Sequence, residues 1–490
     1  MKVAFISSEV SPFSKTGGLG DVSGTLPKEL ALLGNDVKVF TPKYKSANTS
    51  KLEIATEHSI GEFSVLLANE SHTARIFESS LQKSIFEIYL IDCPHFFHRA
   101  SIYTGDPDEG ERFIFFSKAV IETIKRLNWV PDIIHCNDWQ TGLIPALVKE
   151  GDRNIAQLKN TKFVFTIHNI AFQGNFKKDI TKKTGLSEEF IRPMGPLEFY
   201  NQLSFLKAGI SYSDIITTVS ETYAKEILTK ECGSGMEDVL RERKADLYGI
   251  LNGVDYNVWN PESDPHIPFQ YSLNDLSGKR KNKVRLQKQM RLPENESTPL
   301  IGFIARLTAQ KGFDIITKAF NNLLKLNAQW IFLGTGEFEY EKLLQNFCKK
   351  HPDKVAAHLG FDNKLAHLIE AGADIFLMPS HFEPCGLNQI YSLEYGTIPL
   401  VRKTGGLADT VTDWSELSLK GNESGTGFVF EEYSSEALTK TVKRALQLFN
   451  EKETWRKIQT NGMMIDFFVK KSAEKYLNVY YKLILRKNAL

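Results

Sequence analysis

The sequence predicts an α/β protein made of two successive doubly wound domains. Short apolar runs bounded by polar or Gly-rich turns alternate with longer amphipathic stretches, and this pattern occurs twice along the 490 residues. Continuous apolar runs are typical of parallel strands that are buried on both faces of a sheet. The chain also exceeds the ~250–300 residues at which a single hydrophobic core usually stops growing. Two domains of similar size are therefore expected.

The apolar runs and the amphipathic stretches predict strands and helices in both halves. The predicted strands of the first half are Val3–Ser7, Asp36–Thr41, Ile85–Ile91, Asp132–Cys136, Lys162–Ile167 and Asp214–Val219, and its helices are Gly20–Leu33, Glu111–Leu127 and Glu221–Leu228. The predicted strands of the second half are Leu300–Ala305, Trp330–Gly334, Val355–Leu359, Ile375–Met378, Ile398–Val401 and Gly427–Phe430. Its predicted helices are Gly312–Leu326, Glu339–His351, Asn363–Glu370, Asn388–Tyr395 and Glu436–Phe449.

The domain boundary is expected where the periodic pattern stops. Prolines and Trp259 interrupt it throughout Asp255–Lys279, which predicts a first domain of residues 1–258 and a second that begins at 259. Ligands of doubly wound folds bind at the carboxyl ends of the strands. A functional cleft between the two halves is therefore expected.

Composition and charge limit the classes of partner. The formal net charge is only +1, so neither nucleic acid nor an anionic membrane is an expected partner; small molecules and neutral polymers are. The basic cluster Lys279–Lys288 is interpreted as a solvated helix face. The N-terminal apolar run is too short for a signal peptide or a membrane span.

The cysteines indicate a reducing compartment. There are five, odd in number, scattered and without C-x-x-C spacing, which suggests neither a disulfide framework nor a zinc site. Cytoplasmic localisation is therefore expected. The acidic and histidine residues form no cluster with metal-ligand spacing, so no metal is predicted.

A Gly-rich loop, K-T-G-G-L-G-D at Lys15–Asp21, follows the first strand and opens a helix. Glycines let the main chain approach an anion, and helix N–H groups point toward it. The loop matches neither the P-loop motif nor G-x-G-x-x-G, which disfavours a nucleotide triphosphatase and a nicotinamide dehydrogenase. Two interpretations stay open for the loop alone, a tight strand-to-helix turn and a phosphate-binding loop that uses Lys15.

The second half carries further candidates for binding a diphosphate. Gly405 and Gly406 form another Gly-rich turn after a strand, where a helix is again expected to begin. Arg306 and Lys311 follow the strand Leu300–Ala305, where fixed cations could neutralise a leaving diphosphate without a metal. A surface pair of cations in a loop is the alternative.

The segment Glu383–Gln389 leads from the strand Ile375–Met378 into a helix. Its N–H groups are candidates for anion binding, and Glu383 is a candidate acceptor for sugar hydroxyls. The alternative is that Glu383 merely caps the helix. Cys385 is interpreted as structural, because no histidine is placed by sequence to activate it.

Polar side chains also end two strands of the first half. Asp138 and His168 each follow a strand and are candidates to line a reacting sugar, although a structural role for each is the alternative. Trp139, Phe172 and Trp259 offer flat faces for sugars, but packing is at least as good an explanation of each.

In combination, these motifs resemble the bacterial glycogen synthase and plant starch synthase family over essentially the whole chain. The stretches that carry the resemblance are Ser8–Val22, Glu111–Phe116, Asp132–Leu143, Thr166–Gly174, Gly249–Asp255, Trp259–Pro265, Ala305–Gly312 and Glu383–Val411. The resemblance implies the GT-B fold of glycosyltransferase family 5. It also implies a retaining glucosyltransferase that moves glucose from ADP-glucose to the non-reducing end of an α-1,4-glucan or maltooligosaccharide without a cofactor.

The resemblance further implies a role for each matching residue. Lys15, Gly18 and Asp21 would lie at the donor, with Arg306 and Lys311 at its departing diphosphate. Asp138, His168, Asn252 and Glu383 would surround the glucose, and Phe361 would stack on adenine. The remaining donor-binding residues would be Cys385, Gly386, Leu387, Asn388, Gly405 and Gly406.

The chain departs from the family pattern at three positions: Asn388 stands for Thr, Gln140 for His and Val469 for Trp. Residues 469–490 would contain a last helix, about Ser472–Arg486, that crosses back onto the N-terminal domain, so that the domains hinge. Two other functions stay open: a related enzyme that uses UDP-glucose or another acceptor, and a catalytically silent glucan-binding protein. The sequence does not give the oligomeric state.

Overall fold

A computed structural model of the chain describes residues 1–45, 54–79, 86–151, 156–414, 421 and 423–485. The chain divides into two compact units, one made of residues 1–253 and 469 onward, the other of residues 254–468. The sequence pattern predicts these divisions after residues 258 and 468. No helix in the described ranges is both long and apolar enough to cross a membrane.

The first unit is built on a nine-stranded sheet in its described part, in the order β12-β11-β7-β6-β1-β2-β5-β4-β3. Strands β12 to β5 of this order run parallel, whereas β4 is antiparallel to β5 and to β3. The strands are β1 Lys2–Ile6, β2 Asp36–Pro42, β3 Ile54–Leu67, β4 Glu70–Ser79, β5 Glu87–Asp92, β6 Ile133–Asn137, β7 Lys162–Ile167, β11 Ile215–Thr218 and β12 Leu247–Gly249. Its helices of five residues or more are Gly18–Leu32, Glu109–Arg126, Leu143–Glu150, Phe205–Tyr212, Glu221–Glu226, Glu237–Glu242 and Val469–Leu485.

The predicted strands of this half are confirmed to within a few residues, apart from Ile85, which lies outside the described residues. The hairpin of β3 and β4 was not predicted. Its residues alternate between buried and exposed side chains, as in Glu70–Ser79, so they form no continuous apolar run. A small antiparallel sheet of β8 Asn175–Lys177, β9 Glu198–Phe199 and β10 Gln202–Ser204 was missed because its strands are so short.

The second unit has a six-stranded parallel sheet in its described part, in the order β15-β14-β13-β16-β17-β18. The strands are β13 Leu300–Ile304, β14 Gln329–Gly334, β15 Val355–Leu359, β16 Ile375–Met378, β17 Ile398–Arg402 and β18 Phe428–Phe430, as predicted to within a few residues. Hydrophobic clusters cover both faces, because neighbours such as Trp330 and Ile331 point to opposite sides. The helices are Ser277–Gln289, Phe313–Leu323, Phe338–Lys350, Asn363–Gly372, Asn388–Glu394, Gly405–Thr410, Ser435–Phe449 and Lys452–Met463.

Both sheets have a point where the chain reverses its direction of winding. Counted in chain order, the strands of the second unit lie 3-2-1-4-5-6, and the parallel strands of the first unit follow the same order with one more strand at the end. The reversal lies between β1 and β6 in the first unit and between β13 and β16 in the second. Crevices at the carboxyl ends of such strands are the usual ligand sites of open α/β sheets.

The interpretation of Lys279–Lys288 as a solvated face is wrong in part. Lys279 and Lys283 lie on the buried side of the helix Ser277–Gln289. The Nζ of Lys279 donates to the main-chain oxygen of Ala371, and Lys283 pairs with Asp374 at 2.6 Å. Long aliphatic stems and fixed oxygen partners offset part of the cost of burying these ammonium groups, and burial still lowers the pKa of Lys279 to about 7.

The C-terminal helix Val469–Leu485 belongs to the first unit and packs against the helix Gly18–Leu32. Arg486 of the predicted helix lies outside the described residues. The Oη of Tyr480 is 2.7 Å from Nδ1 of His135 on β6, and Nε2 of that ring is 2.6 Å from Oγ1 of Thr166. Burial lowers the pKa of His135 to about 3, so this buried ring is neutral.

We expect Tyr480→Phe to lower the free energy of unfolding by about 1–3 kcal/mol, because it leaves one nitrogen of a buried imidazole without its partner. Urea denaturation followed by fluorescence measures the change. Tyr481→Phe is the matched control, since Tyr481 is 51% exposed on the same helix. Equal stability of the two variants would show that the contact to His135 contributes nothing.

Candidate active site

The Gly-rich loop follows β1, and the helix Gly18–Leu32 begins within it, as predicted. The Nζ of Lys15 lies 2.7 Å from Oδ1 of Asp21, on the first turn of that helix. Burial raises the pKa of Asp21 above its ordinary value, and the Lys15 ammonium offsets part of the shift. In the free protein Lys15 thus already has an anionic partner, which an incoming phosphate group would have to replace.

Asp138 follows β6 in a backbone conformation that few residues adopt. Its φ is 56° and its ψ 177°, in a region otherwise occupied almost only by glycine. Its Oδ1 accepts a hydrogen bond of 2.7 Å from the N–H of His168. Burial raises the pKa of Asp138 to about 7, although N–H groups of His168 and Asn169 partly stabilise the anion. Strain and a shifted pKa together are typical of functional sites.

His168 follows β7 and is oriented by a residue that sequence reasoning missed. Its Nε2 lies 3.0 Å from Oδ1 of Asn137, whose Nδ2 donates to the main-chain oxygen of Ile6. Because the amide oxygen of Asn137 can only accept, Nε2 carries the proton and Nδ1 of His168 is left as an acceptor. Burial lowers the pKa of His168 to about 3, so the ring is neutral. The H-C-N-D motif could have drawn attention to Asn137.

Asn252 lies in the loop after β12 and is buried. Its Oδ1 has no hydrogen-bond partner among the residues that the structure describes. The loop is fixed one residue earlier, where the main-chain oxygen of Leu251 accepts from Oγ of Ser472 at 2.6 Å. An unpaired buried acceptor is costly, and a ligand hydroxyl would satisfy it.

In the second unit, Lys311 and Glu383 are in direct contact. The Nζ of Lys311 lies 2.8 Å from Oε1 and 2.6 Å from Oε2 of Glu383, which is 5% exposed. Oγ of the buried Ser380, another residue that sequence reasoning missed, donates to Oε2 at 2.9 Å. Lys311 follows β13 and Glu383 follows β16, the two strands at which the winding reverses. The pair therefore lies where this sheet is expected to bind a ligand.

The glycines of the turn Gly405–Gly406 are required by the protein's own main chain. A Cβ on Gly405, whose φ is +44°, would lie 1.9 Å from the oxygen of Glu383, and one on Gly406 would lie 2.0 Å from that of Cys385. The N–H of Gly406 donates to the oxygens of Glu383 and Pro384. The turn supports the loop that carries Glu383, and its contact with a donor stays a prediction.

The other predicted residues of the second unit lie after the strands β13, β15 and β16. Arg306 is exposed after β13, and Phe361 is 83% exposed after β15. Gly386 has a φ of +69°, Cys385 is buried and Leu387 is partly exposed just before the helix Asn388–Glu394. The Nδ2 of Asn388 donates to the oxygen of Ile304 at the end of β13, so this departure from Thr ties the helix to the strand that leads to Arg306.

Two of the three aromatic candidates pack against other side chains, as the packing alternative predicts. Trp139 is buried against Phe113, and Trp259 is stacked between His367 and Tyr391 with ring centroids 3.7 and 3.9 Å away. Phe172, by contrast, is 48% exposed. Of the three, Phe172 is therefore the one that can still offer a face to a sugar.

The structure thus divides the predicted residues between the two units. The first unit carries Lys15, Gly18, Asp21, Asp138, His168 and Asn252, and the second carries the others. Within the described ranges, no group of three or more His, Cys, Asp or Glu residues could hold a metal ion. The second unit carries the Lys311–Glu383 pair and the exposed Arg306, and the first carries the Lys15–Asp21 pair and the acceptor atoms of Asp138, His168 and Asn252.

Comparison with known proteins shows which family carries this arrangement. The family model for the starch synthase catalytic domain matches residues 2–242, and that for glycosyl transferases group 1 matches residues 285–461. Glycogen synthases from Desulforudis audaxviator and Clostridium perfringens are each 45% identical to the chain; they align over 98% and 99% of it and over 96% and 98% of their own lengths.

A solved structure agrees with these matches. The catalytic domain of starch synthase IV from Arabidopsis thaliana, bound to ADP and acarbose, superimposes with a TM-score of 0.92 at 32% identity. The match covers 98% of this chain and 99% of the other. Two Rossmann-like units in one chain, motifs present in both and relatives matched from end to end lead to one conclusion: the chain belongs to the glycogen synthase family of GT-B glucosyltransferases.

Proposed function

We propose that the enzyme transfers glucose from ADP-glucose to the non-reducing end of an α-1,4-glucan and retains the anomeric configuration. The observation that carries the proposal is the Lys311–Glu383 pair at the winding reversal of the second sheet, within a chain that matches glycogen synthases over its whole length. Transfer of glucose requires a leaving diphosphate to be stabilised. A fixed ammonium group next to a carboxylate that can hold sugar hydroxyls suits that task.

The residues of the second unit would bind the nucleotide and the diphosphate of the donor. Arg306 and Lys311 would neutralise the departing diphosphate, and Glu383 would hold Lys311 in place and accept from glucose hydroxyls. Phe361 would stack on the adenine ring. With Lys15 of the first unit, these side chains supply the positive charge that the reaction is proposed to need, so neither a metal nor a cofactor is part of the proposal.

The first unit would bind the glucose, and its Gly-rich loop would contact the diphosphate. Lys15 and the helix N-terminus at Gly18 would bind phosphate oxygens, with Asp21 released from Lys15. Asp138, the Nδ1 acceptor of His168 and the unpaired Oδ1 of Asn252 would receive glucose hydroxyls. The departing phosphate would take the acceptor's proton in a front-face displacement, so no pair of carboxylates is needed, unlike in a glycosidase.

The test is incubation with labelled ADP-glucose, labelled UDP-glucose and maltooligosaccharides, followed by product sizing. We expect elongation by single glucose units with ADP-glucose and much weaker elongation with UDP-glucose. Strong turnover with UDP-glucose and none with ADP-glucose would overturn the proposed donor. Failure with both would favour a silent glucan-binding protein. The cytoplasmic localisation stays a prediction from the five cysteines, none of which forms a disulfide bond with another described residue.

A further inference from the structure

The Gly-rich loop is held by a carboxylate that the proposed mechanism does not use. Glu9 follows β1 and is buried. Its Oε2 accepts from the N–H groups of Thr16 at 2.5 Å and Gly17 at 3.3 Å. Its Oε1 accepts from Oγ1 of Thr16 at 2.7 Å and from Oη of Tyr103 at 2.8 Å. Four donors thus converge on one carboxylate.

These contacts decide which groups of the loop are left for a ligand. Thr16 and Gly17 directly precede the helix Gly18–Leu32, and their N–H groups are committed to Glu9. The first N–H groups of a helix have no partner within it, so those of the helix start, together with Lys15, are the groups that can face a phosphate. Charge-assisted hydrogen bonds to main-chain N–H groups are short and strong, which suits a contact that fixes a loop.

Glu9 also interacts electrostatically with Asp138, another candidate residue of the first unit. Its charge contributes to the raised pKa of Asp138, which follows β6. Glu9 follows β1 and Asp138 follows β6, the two neighbouring strands at which the winding of this sheet reverses. A substitution of Glu9 is therefore expected to alter the geometry and charge of the site without removing any group that touches the substrate.

We infer that Glu9 is a positioning residue, which fixes the main chain of Thr16 and Gly17 so that Lys15 and the start of the helix Gly18–Leu32 face the donor diphosphate. The identity of the ligand rests on the proposed function, whereas the contact itself does not. Glu9→Ala removes the acceptor of all four bonds. Glu9→Gln keeps one oxygen, which can still accept from both N–H groups.

The first measurement follows the loop in the free enzyme by amide hydrogen exchange. We expect the peptide that contains Thr16 and Gly17 to exchange faster in Glu9→Ala and at nearly the wild-type rate in Glu9→Gln. The control is Glu122→Gln, which alters a carboxylate paired with Lys125 and Arg126 of its own helix. Unchanged exchange in Glu9→Ala would overturn the inference, whichever donor the enzyme uses.

The second measurement is steady-state kinetics of the same variants. We expect Glu9→Ala to lower kcat/KM for ADP-glucose about 100-fold, as misplacement of a binding group by about 1 Å does, with the KM for maltooligosaccharide almost unchanged. Glu9→Gln should restore most of the loss. Faster loop exchange with unaltered donor kinetics would overturn the positioning role. A wild-type enzyme that ignores ADP-glucose would overturn the proposed function and leave the exchange result standing.

Should Glu9→Ala fail to fold, Thr16→Val decides instead. It removes the hydroxyl donor to Glu9 and leaves the carboxylate and the N–H groups in place. We expect faster exchange of the loop and a donor kcat/KM about 5-fold lower, in keeping with the loss of one hydrogen bond. Exchange and donor kinetics both at wild-type values would overturn the inference.

Discussion

Replacement of Lys311 by alanine is expected to slow glucan elongation by about 10²–10³-fold, the usual cost of removing one group that stabilises charge in a transition state. Lys311 contacts both carboxylate oxygens of Glu383, so its ammonium group is fixed before a donor binds. A fixed cation needs little reorganisation when the diphosphate leaves. The loss should therefore appear mainly in kcat. Initial rates with ADP-glucose and maltooligosaccharide measure it.

Glu383→Ala should cause a loss of similar size, because it removes the proposed acceptor of the glucose hydroxyls and frees Lys311. Lys457→Ala, which breaks an exposed ion pair with Glu423 in the same unit, is the control and should leave the rate unchanged. Thermal denaturation of all variants checks that the fold is kept. Near-normal turnover in a folded Lys311→Ala or Glu383→Ala enzyme would refute the assignment of this pair to the site.

Asp138→Gly and Asp138→Ala are both expected to abolish glucan elongation but to differ in stability. Both variants lose the carboxylate that accepts from the N–H of His168. Only glycine relieves the backbone at φ 56° and ψ 177°, a conformation that costs other residues about 1–3 kcal/mol. The greater freedom of glycine in the unfolded chain opposes this gain and lowers the stability of the Gly variant by about 0.4–1 kcal/mol. The Gly variant should therefore be more stable than the Ala variant by about 1 kcal/mol.

Parallel thermal or urea denaturation of the two variants measures this difference, and the Ala variant serves as the control for the lost carboxylate. A Gly variant less stable than the Ala variant would show that the backbone of Asp138 is not strained in the free protein. Retained elongation in either variant would remove Asp138 from the site. Asp138→Asn separates the two effects further, since it keeps the size of the side chain and removes only the charge.

The sequence was sufficient to predict most of the fold. Strands buried on both faces need continuous apolar residues, so runs such as Lys162–Ile167 and Val355–Leu359 were predicted with the bounds that the structure has. Polar or glycine residues directly after such strands mark the carboxyl edge, which is why Asp138, His168 and Arg306 could be chosen. The strands of the β3–β4 hairpin were not predicted, because one of their faces is exposed and polar.

What the sequence by itself determined is therefore local: the strands, the helices, the Gly-rich turns and the family motifs all depend on residues near one another in the chain. The tertiary structure decided the partners. Glu383 meets Lys311 across 72 positions, and Tyr103 meets Glu9 across 94. No periodicity records such contacts, because they arise only when the winding of the sheet brings distant loops to one edge. The strain at Asp138 and the burial of Lys279 have the same origin, since neighbours from elsewhere in the fold impose both.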